Sequence, residues 1–369
     1  MDKKKILVAM SGGVDSSVAA GLLKEAGHEV AGATMRTWAS DTCIDRNTKA
    51  CCGLTGVEDA REVAERLAIP YWVFNFEKEF KKHVVDYFAS EYQKGRTPNP
   101  CVACNEHIKF RLFLRRARSL GYDFIATGHY AEVRYDPGRA SYFVGEGRDA
   151  GKDQSYVLFP LEQDVLAHLL LPVGGYTKAE IRAKAKSLGL PVWDKDDSQE
   201  ICFIPSNDYG AFLRREYLDG VRPGIIRTPE GRVLGRHQGY FHYTRGQRRG
   251  LGVAHTERLY VIETNPETNE VVVGRKADIL NRGCRVGRVN WFLRPAEGRA
   301  RVFVKIRSQH RKAPATIHLV EEASVRVVFD EPQEAVTPGQ GAVFYEGSPA
   351  GEPRAGGRAL GGGWIDAVE

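Results

Sequence analysis

The sequence has no long hydrophobic run. Its apolar stretches stop well short of the roughly 18 residues that a membrane-spanning helix requires, so no membrane partner is expected. No secretion-type leader is expected either, because Ile6–Met10 after Lys3-Lys4-Lys5 is too short for one. A cytoplasmic location is the expectation. Seven cysteines, an odd number at uneven spacings, do not make the disulfide framework of a secreted domain. In a reducing compartment such cysteines are reactive, metal-bound or buried. The chain has no internal repeat. It also lacks the Gly-Lys-Ser/Thr that would complete a Walker A loop.

What is present centres on Met10-Ser11-Gly12-Gly13-Val14-Asp15-Ser16-Ser17. The β-type run Lys5–Met10 precedes it, and Val18–Lys24, apolar on one helical face, follows it. Strand, tight glycine loop and helix together aim backbone N–H groups and a helix N-terminus at one point, which attracts an anion. Glycines let a phosphate approach, and Ser11, Ser16 and Ser17 add hydroxyl donors. Asp15 would repel a bare phosphate, so it reads as acting with Mg²⁺. The plainer alternative is an ordinary strand–turn–helix with Asp15 or Ser16 as cap.

With 369 residues the chain is long enough for two or three domains. To about Phe159, strand and helix alternate: His28–Thr34, Tyr71–Phe74 and Asp123–Thr127 as strands, Val57–Leu67, Phe80–Tyr92 and Asn105–Leu120 as helices. This predicts a parallel sheet with helices on both faces, an α/β domain with its ligand at the carboxyl ends of the strands. Ala131–Gly145 reads as a hairpin, and Thr177-Lys178-Ala179-Glu180 as a capping box. A helix is expected from Asn207 to Tyr217. Beyond about Pro223, short β-type runs separated by Gly, Pro and Asn predict a small linking domain and then an all-β barrel or sandwich. Gly239–Tyr243 is expected as one of those runs.

The formal net charge is +6, unevenly placed. Arg282–Lys312 holds ten Lys/Arg and one acid, Glu297, and His107–Arg118 holds five basic residues and no acid. Such clusters suit a polyanion.

Two cysteine stations carry the remaining chemistry. In Thr97-Pro98-Asn99-Pro100-Cys101-Val102-Ala103-Cys104, the prolines hold an extended loop and the thiols start a basic helix. A helix N-terminus and nearby cations favour the thiolate, which makes Cys104 a candidate nucleophile. A zinc site shared with Cys51 and Cys52 is the structural alternative. Cys202 lies about a hundred residues on, inside Ser198-Gln199-Glu200-Ile201-Cys202-Phe203-Ile204-Pro205. AMP transfer to a carbonyl creates an electrophile. A persulfide on one cysteine can then deliver sulfur, and a second cysteine can resolve the intermediate as a disulfide.

These motifs resemble the tRNA-specific 2-thiouridylase family within the ATP pyrophosphatases. The resemblance is carried by Ala9–Ser17, Met35, Gly95–Phe110, Ala126–Ala131, Lys152–Tyr156, Ser198–Pro205, Tyr243–Gly252, Lys305–Ser308 and Pro338–Tyr345. It implies an ATP-binding catalytic domain over residues 1–205, a small central linking domain over 206–280 and a tRNA-gripping β-barrel over 281–369. Ala9, Met10, Ser11, Gly12, Gly13, Val14, Asp15, Ser16, Met35 and Gly128 would bind ATP, with Mg²⁺. Cys104 would be the nucleophile and Cys202 the persulfide carrier, fed by a persulfide sulfur-donor protein. Asn99, Pro100 and Cys101 would face the target base. His129, Lys152, Asp153, Gln154, Arg307, Ser308 and Gln340 would touch tRNA. The implied reaction is 2-thiolation of the wobble uridine. The chain departs from the family pattern at Cys101, where Asp is usual, and at the added Cys51-Cys52 pair. Two readings of Cys101 stay open: a base-facing group, or a ligand with Cys104 and Cys202 of a [4Fe–4S] cluster that holds sulfide on an open iron. Amide-forming ATP pyrophosphatases, which need no cysteine pair, and a non-catalytic ATP-regulated RNA-binding module are the competing classes.

Overall fold

The structure, a computed structural model, describes residues 3–38, 54–196, 201–204, 208–218, 220–347 and 356–369. Five parallel strands form the first sheet: Lys5–Ala9 (β1), Glu29–Arg36 (β2), Tyr71–Asn75 (β3), Phe124–Ala126 (β4) and, after the hairpin of Ala131–Asp136 (β5) and Ser141–Glu146 (β6), Leu169–Leu170 (β7). Their order is β3-β2-β1-β4-β7. Side chains alternate along β1, and both faces are buried. Ile6 and Val8 join one apolar core with Val18, Val63 and Ile181, while Leu7 and Ala9 join another with Phe74, Phe110 and Phe113. Helices therefore cover both sides of the sheet. Val14–Glu25 (α1) follows β1 and Leu54–Arg66 (α2) precedes β3.

Two long helical runs cover the other face. One comprises Glu77–Phe80, Lys81–Val85 and Asp86–Gln93, the other Pro100–Cys104, Asn105–Leu112 and Phe113–Ser119. Each is widened in the middle by a π-type segment. The second run begins five residues earlier than the basic periodicity predicts. Asn99 caps it by accepting the Val102 N–H at 3.2 Å, and Pro100 at the first position has no N–H to leave unpaired.

The central unit is a four-stranded sheet of Gly224–Arg227 (β8), Val233–His237 (β9), Tyr260–Asn265 (β10) and Glu270–Gly274 (β11), ordered β10-β11-β8-β9. The stretch expected as a strand over Gly239–Tyr243 is instead a single helical turn, Tyr240–His242. Its aromatic residues read as β-type, but Tyr240 and Phe241 are buried beside the helix Tyr209–Glu216 rather than alternating across a sheet. The last unit is a closed antiparallel barrel of Leu280–Trp291 (β12), Arg299–Lys305 (β13), Ala313–Glu321 (β14), Ser324–Glu334 (β15), Gly341–Tyr345 (β16) and Ala359–Val368 (β17). Closure leaves no unpaired strand edge. The barrel is joined to the first domain by polar contacts as well as packing. Asn290 Nδ2 donates to the carbonyls of Phe159 and Leu161 at 2.8 and 2.9 Å, and Lys312 pairs with Glu146 at 2.9 Å.

Candidate active site

The loop after β1 is shaped by close backbone approaches. Gly12 has φ +73°, and a side chain there would run into the Gly56 carbonyl of α2. Gly128, just after β4, lies against the loop from the other side, where a Cβ would sit 2.6 Å from the Ser16 nitrogen. Within the loop the Ser11 N–H donates to Ser16 Oγ at 3.2 Å, and Ser17 Oγ donates to the Gly13 carbonyl at 2.8 Å. Gly13 caps α1 without any side-chain acceptor. The first-turn N–H groups of α1 thus meet no side-chain cap, which is the geometry that receives a phosphate. Met35 is the penultimate residue of β2, and Thr34 Oγ1 donates to the Met10 carbonyl at 2.6 Å. The residues expected to bind ATP therefore come together at the carboxyl ends of β1, β2 and β4.

Asp15 is not isolated. Lys178 Nζ lies 2.7 and 2.9 Å from its two oxygens, and the Tyr130 hydroxyl donates to Oδ1 at 2.7 Å. A second lysine, Lys195, donates to the Gly12 carbonyl at 2.9 Å and pairs with Asp59 of α2. Lys178, Tyr130, Lys195 and Asp59 are site residues that sequence reasoning missed. Lys178 opens the helix of the capping box, whose Thr177 and Glu180 contacts are both formed. Nothing in its spacing connects it to Asp15, 163 residues away.

Cys101 is exposed on the first turn of the Pro100–Cys104 helix, whereas Cys104 is 6% exposed and belongs to the core. Further along this run, Phe110 meets the His129 ring at 5.5 Å, which sets the cysteine helix beside the loop that carries Gly128. Cys202 is half-buried in Ile201–Ile204. Its neighbour Phe203 packs on Phe80 and Phe88 of the first helical run, against which the Pro100–Cys104 helix also packs. None of Cys101, Cys104 and Cys202 is in a disulfide. Among the described residues, no three His, Cys, Asp or Glu side chains converge to hold a metal. Cys43, Cys51, Cys52 and Ser198–Glu200 lie outside the described residues.

Several residues expected at the tRNA have their polar atoms engaged within the protein. Asp153 accepts the Gly147 and Ser155 N–H groups at 3.1 Å each and faces Lys305 of β13 at 3.6 Å. Gln154 bonds both backbone groups of Tyr130, at 2.9 and 2.8 Å. Arg307 Nη2 donates to the Arg245 and Ala335 carbonyls and to Thr337 Oγ1. Gln340 bonds the Thr97 and Pro98 carbonyls. His129 Nδ1 lies 2.8 Å from Thr127 Oγ1; burial, with Lys109 nearby, holds its pKa down at about 3, so the ring is neutral at physiological pH. Lys152 is half-exposed, Ser308 is exposed, and Pro100 is buried behind the Asn99 cap. The basic helix is also less free than its charge count implies. Arg111 pairs with Glu162 at 2.5 Å, Arg118 with Asp164 at 2.8 Å, and Arg116 lies over Phe74.

Residues 4–206 match the tRNA methyl transferase HUP domain, residues 211–275 the tRNA methyl transferase PRC-barrel domain, and residues 281–365 the aminomethyltransferase beta-barrel domain. A protein of Acetivibrio thermocellus named tRNA-specific 2-thiouridylase MnmA is 48% identical, over 94% of this chain and 97% of its own. One of the same name from Carboxydothermus hydrogenoformans is 48% identical over 99% of this chain and 98% of its own. Among solved structures, U34-tRNA thiolase NcsA from Methanococcus maripaludis with its [4Fe-4S] cluster is 18% identical, covering 59% of this chain and 68% of that one, with a TM-score of 0.35. On the identity and coverage of its relatives, the chain belongs to the tRNA-specific 2-thiouridylase family.

Proposed function

We propose that the protein is an ATP-dependent tRNA-uridine 2-sulfurtransferase that thiolates the wobble uridine. The observation that carries this reading is the grouping of the uncapped α1 N-terminus, Asp15 and Gly128 at one end of the sheet, with the helix of Cys101 and Cys104 alongside. The loop binds the phosphates of ATP. Mg²⁺ uses few protein carboxylates and keeps phosphate and water ligands, so Asp15, whose oxygens also face Lys178, would suffice to hold it, and the ion would neutralise phosphate charge. A [4Fe–4S] cluster needs the three thiolates of Cys101, Cys104 and Cys202 on it at once, and among the described residues no such group of three donors is found. The scheme that follows uses thiol chemistry, which needs only Cys104 and Cys202.

The uridine 2-oxygen attacks the α-phosphorus of ATP, and pyrophosphate leaves. A persulfide on Cys202, loaded by a sulfur-donor protein, attacks C2 through its terminal sulfur, and AMP leaves. The Cys104 thiolate then attacks Cys202 Sγ. The sulfur–sulfur bond breaks, its electron pair stays on the sulfur at C2, and a Cys104–Cys202 disulfide forms. A thiol reductant restores both cysteines.

The test supplies tRNA, ATP, Mg²⁺ and a persulfide donor to the purified protein, then measures pyrophosphate and the nucleosides of the RNA by mass spectrometry. RNA-dependent pyrophosphate release together with 2-thiouridine is the expected result. Pyrophosphate release without sulfur on the RNA would return the protein to the amide-forming class. ATP binding without turnover would make it a regulated RNA-binding module.

A further inference from the structure

The C-terminal barrel reaches across to the loop that precedes the cysteine helix. Gln340 Nε2 donates to the Thr97 and Pro98 carbonyls, each at 3.0 Å. The Thr97 N–H returns a bond to the Pro338 carbonyl at 3.0 Å. Between these contacts Gly339 has φ +91°, and a Cβ there would lie 2.7 Å from the Thr97 oxygen and 3.1 Å from its nitrogen. Only glycine allows the two backbones to come this close.

The turn is itself anchored. The Gln340 N–H donates to the Thr337 carbonyl at 3.2 Å, and its carbonyl accepts from Ile365 at 2.8 Å. Gly341 uses both its carbonyl and its N–H on the buried Tyr156 hydroxyl, at 3.0 and 3.1 Å. On the other side Arg96 Nη2 donates to the Ile365 carbonyl at 3.1 Å. One residue past Pro98 stands the Asn99 cap, followed by Cys101 and the buried Cys104.

We propose that the Pro338–Gly341 turn of the barrel is a positioning element for Cys104, with Gln340 holding the backbone from which the cysteine helix starts. Both amide hydrogens of Gln340 are used on that backbone. Its role is then to fix where the helix begins and to keep Cys104 in the core. The importance of this for catalysis rests on Cys104 being the nucleophile.

The experiment uses the full-length protein without tRNA. Iodoacetamide labelling of Cys104 is followed by peptide mass spectrometry, with the exposed Cys101 as internal reference. Gln340→Glu keeps the side-chain shape but turns a carboxylate toward two carbonyls. Gly339→Ala keeps Gln340 and disturbs only the close approach. Both variants should raise Cys104 labelling relative to Cys101 about fivefold, because the helix start is freed to open locally. Both should lower the maximal rate of 2-thiouridine formation about tenfold or more, with KM for tRNA within about twofold, as expected for misplacement rather than weakened binding. Unchanged Cys104 labelling in both, with Gln340→Glu weakening only tRNA affinity, would overturn the proposal and make Gln340 a plain RNA contact. A Cys104→Ser protein that still thiolates tRNA would instead remove the nucleophile assignment and leave the labelling result standing.

Discussion

Lys178 Nζ grips the Asp15 carboxylate from both oxygens, at 2.7 and 2.9 Å, with 13% and 30% of the two side chains exposed. An acid at a phosphate-binding loop opposes its own ligand unless a cation stands beside it. Lys178 supplies that cation, placed where phosphate charge would arrive.

The first prediction follows from this pair. Lys178→Met should lower the rate of tRNA-dependent pyrophosphate release by about 10²-fold, the usual scale for losing one preorganised charge at a reacting phosphate. Asp15→Ala should abolish AMP transfer. Both should leave tRNA affinity nearly unchanged, since neither residue is among those expected at the tRNA. Pyrophosphate assays and filter binding check the two halves, and normal release by either variant would refute its role.

The cysteines should separate the two half-reactions. Cys202→Ser is expected to activate tRNA with ATP yet fail to transfer sulfur from a persulfide donor. Pyrophosphate release with no 2-thiouridine is its signature. Thiolated tRNA from that variant in a persulfide-fed assay would show that Cys202 is not the carrier.

Arginines near the junction of the central unit and barrel should divide by role. Arg307 bonds three protein acceptors, whereas Arg248 and Arg249 are exposed and form no ion pair with another described residue. Their loop is held by Gly246 N–H and Gln247 carbonyl bonds to Val261 of β10. Arg307→Ala should weaken RNA binding, and it should also destabilise the fold by about 1–3 kcal/mol, because buried acceptors lose their donor. The Arg248→Ala/Arg249→Ala pair should leave stability unchanged and flatten the salt dependence of tRNA binding, by about 0.7–0.9 in log–log slope for each phosphate no longer neutralised. Thermal melts and binding at several salt concentrations measure both. An unchanged slope in the double variant would take its loop out of the interface.

His129 makes stability depend on pH. Its folded pKa of about 3 lies below the ordinary imidazole value of 6.5, so the unfolded chain takes up a proton first as pH falls. The contribution is fully present above pH 6.5 and is lost progressively toward pH 3, at up to about 1.4 kcal/mol per pH unit. Urea unfolding at pH 7 and 5 should therefore show a steeper loss of stability in the unaltered protein than in His129→Asn. Equal losses would contradict a neutral His129.

Much of the fold was legible because its signals are local. The alternation of strand and helix depends on periodicity within each segment, and the loop at Gly12–Ser17 is contiguous in sequence. The capping box at Thr177–Glu180 needs only three residues of spacing, and it formed. Gly239–Tyr243 misled for the same reason. Aromatic content signals burial, but a short run does not say whether a strand or one helical turn achieves it.

By itself the sequence determined the layered α/β domain, the phosphate-binding loop and the two cysteine stations, since each is set by neighbouring residues whose backbone preferences and polarity act over a few positions. Only the tertiary structure decided which distant groups meet: Lys178 with Asp15, Gln340 with Thr97 and Pro98, and Arg307 with Arg245. It also decided that charges read as a free basic face on the helix of Lys109 and Arg111 are partly met by Glu162 and Asp164. Such pairings depend on how separately folding units dock. Docking is governed by shape and by the need to satisfy buried polar groups, and neither leaves a fixed spacing along the chain.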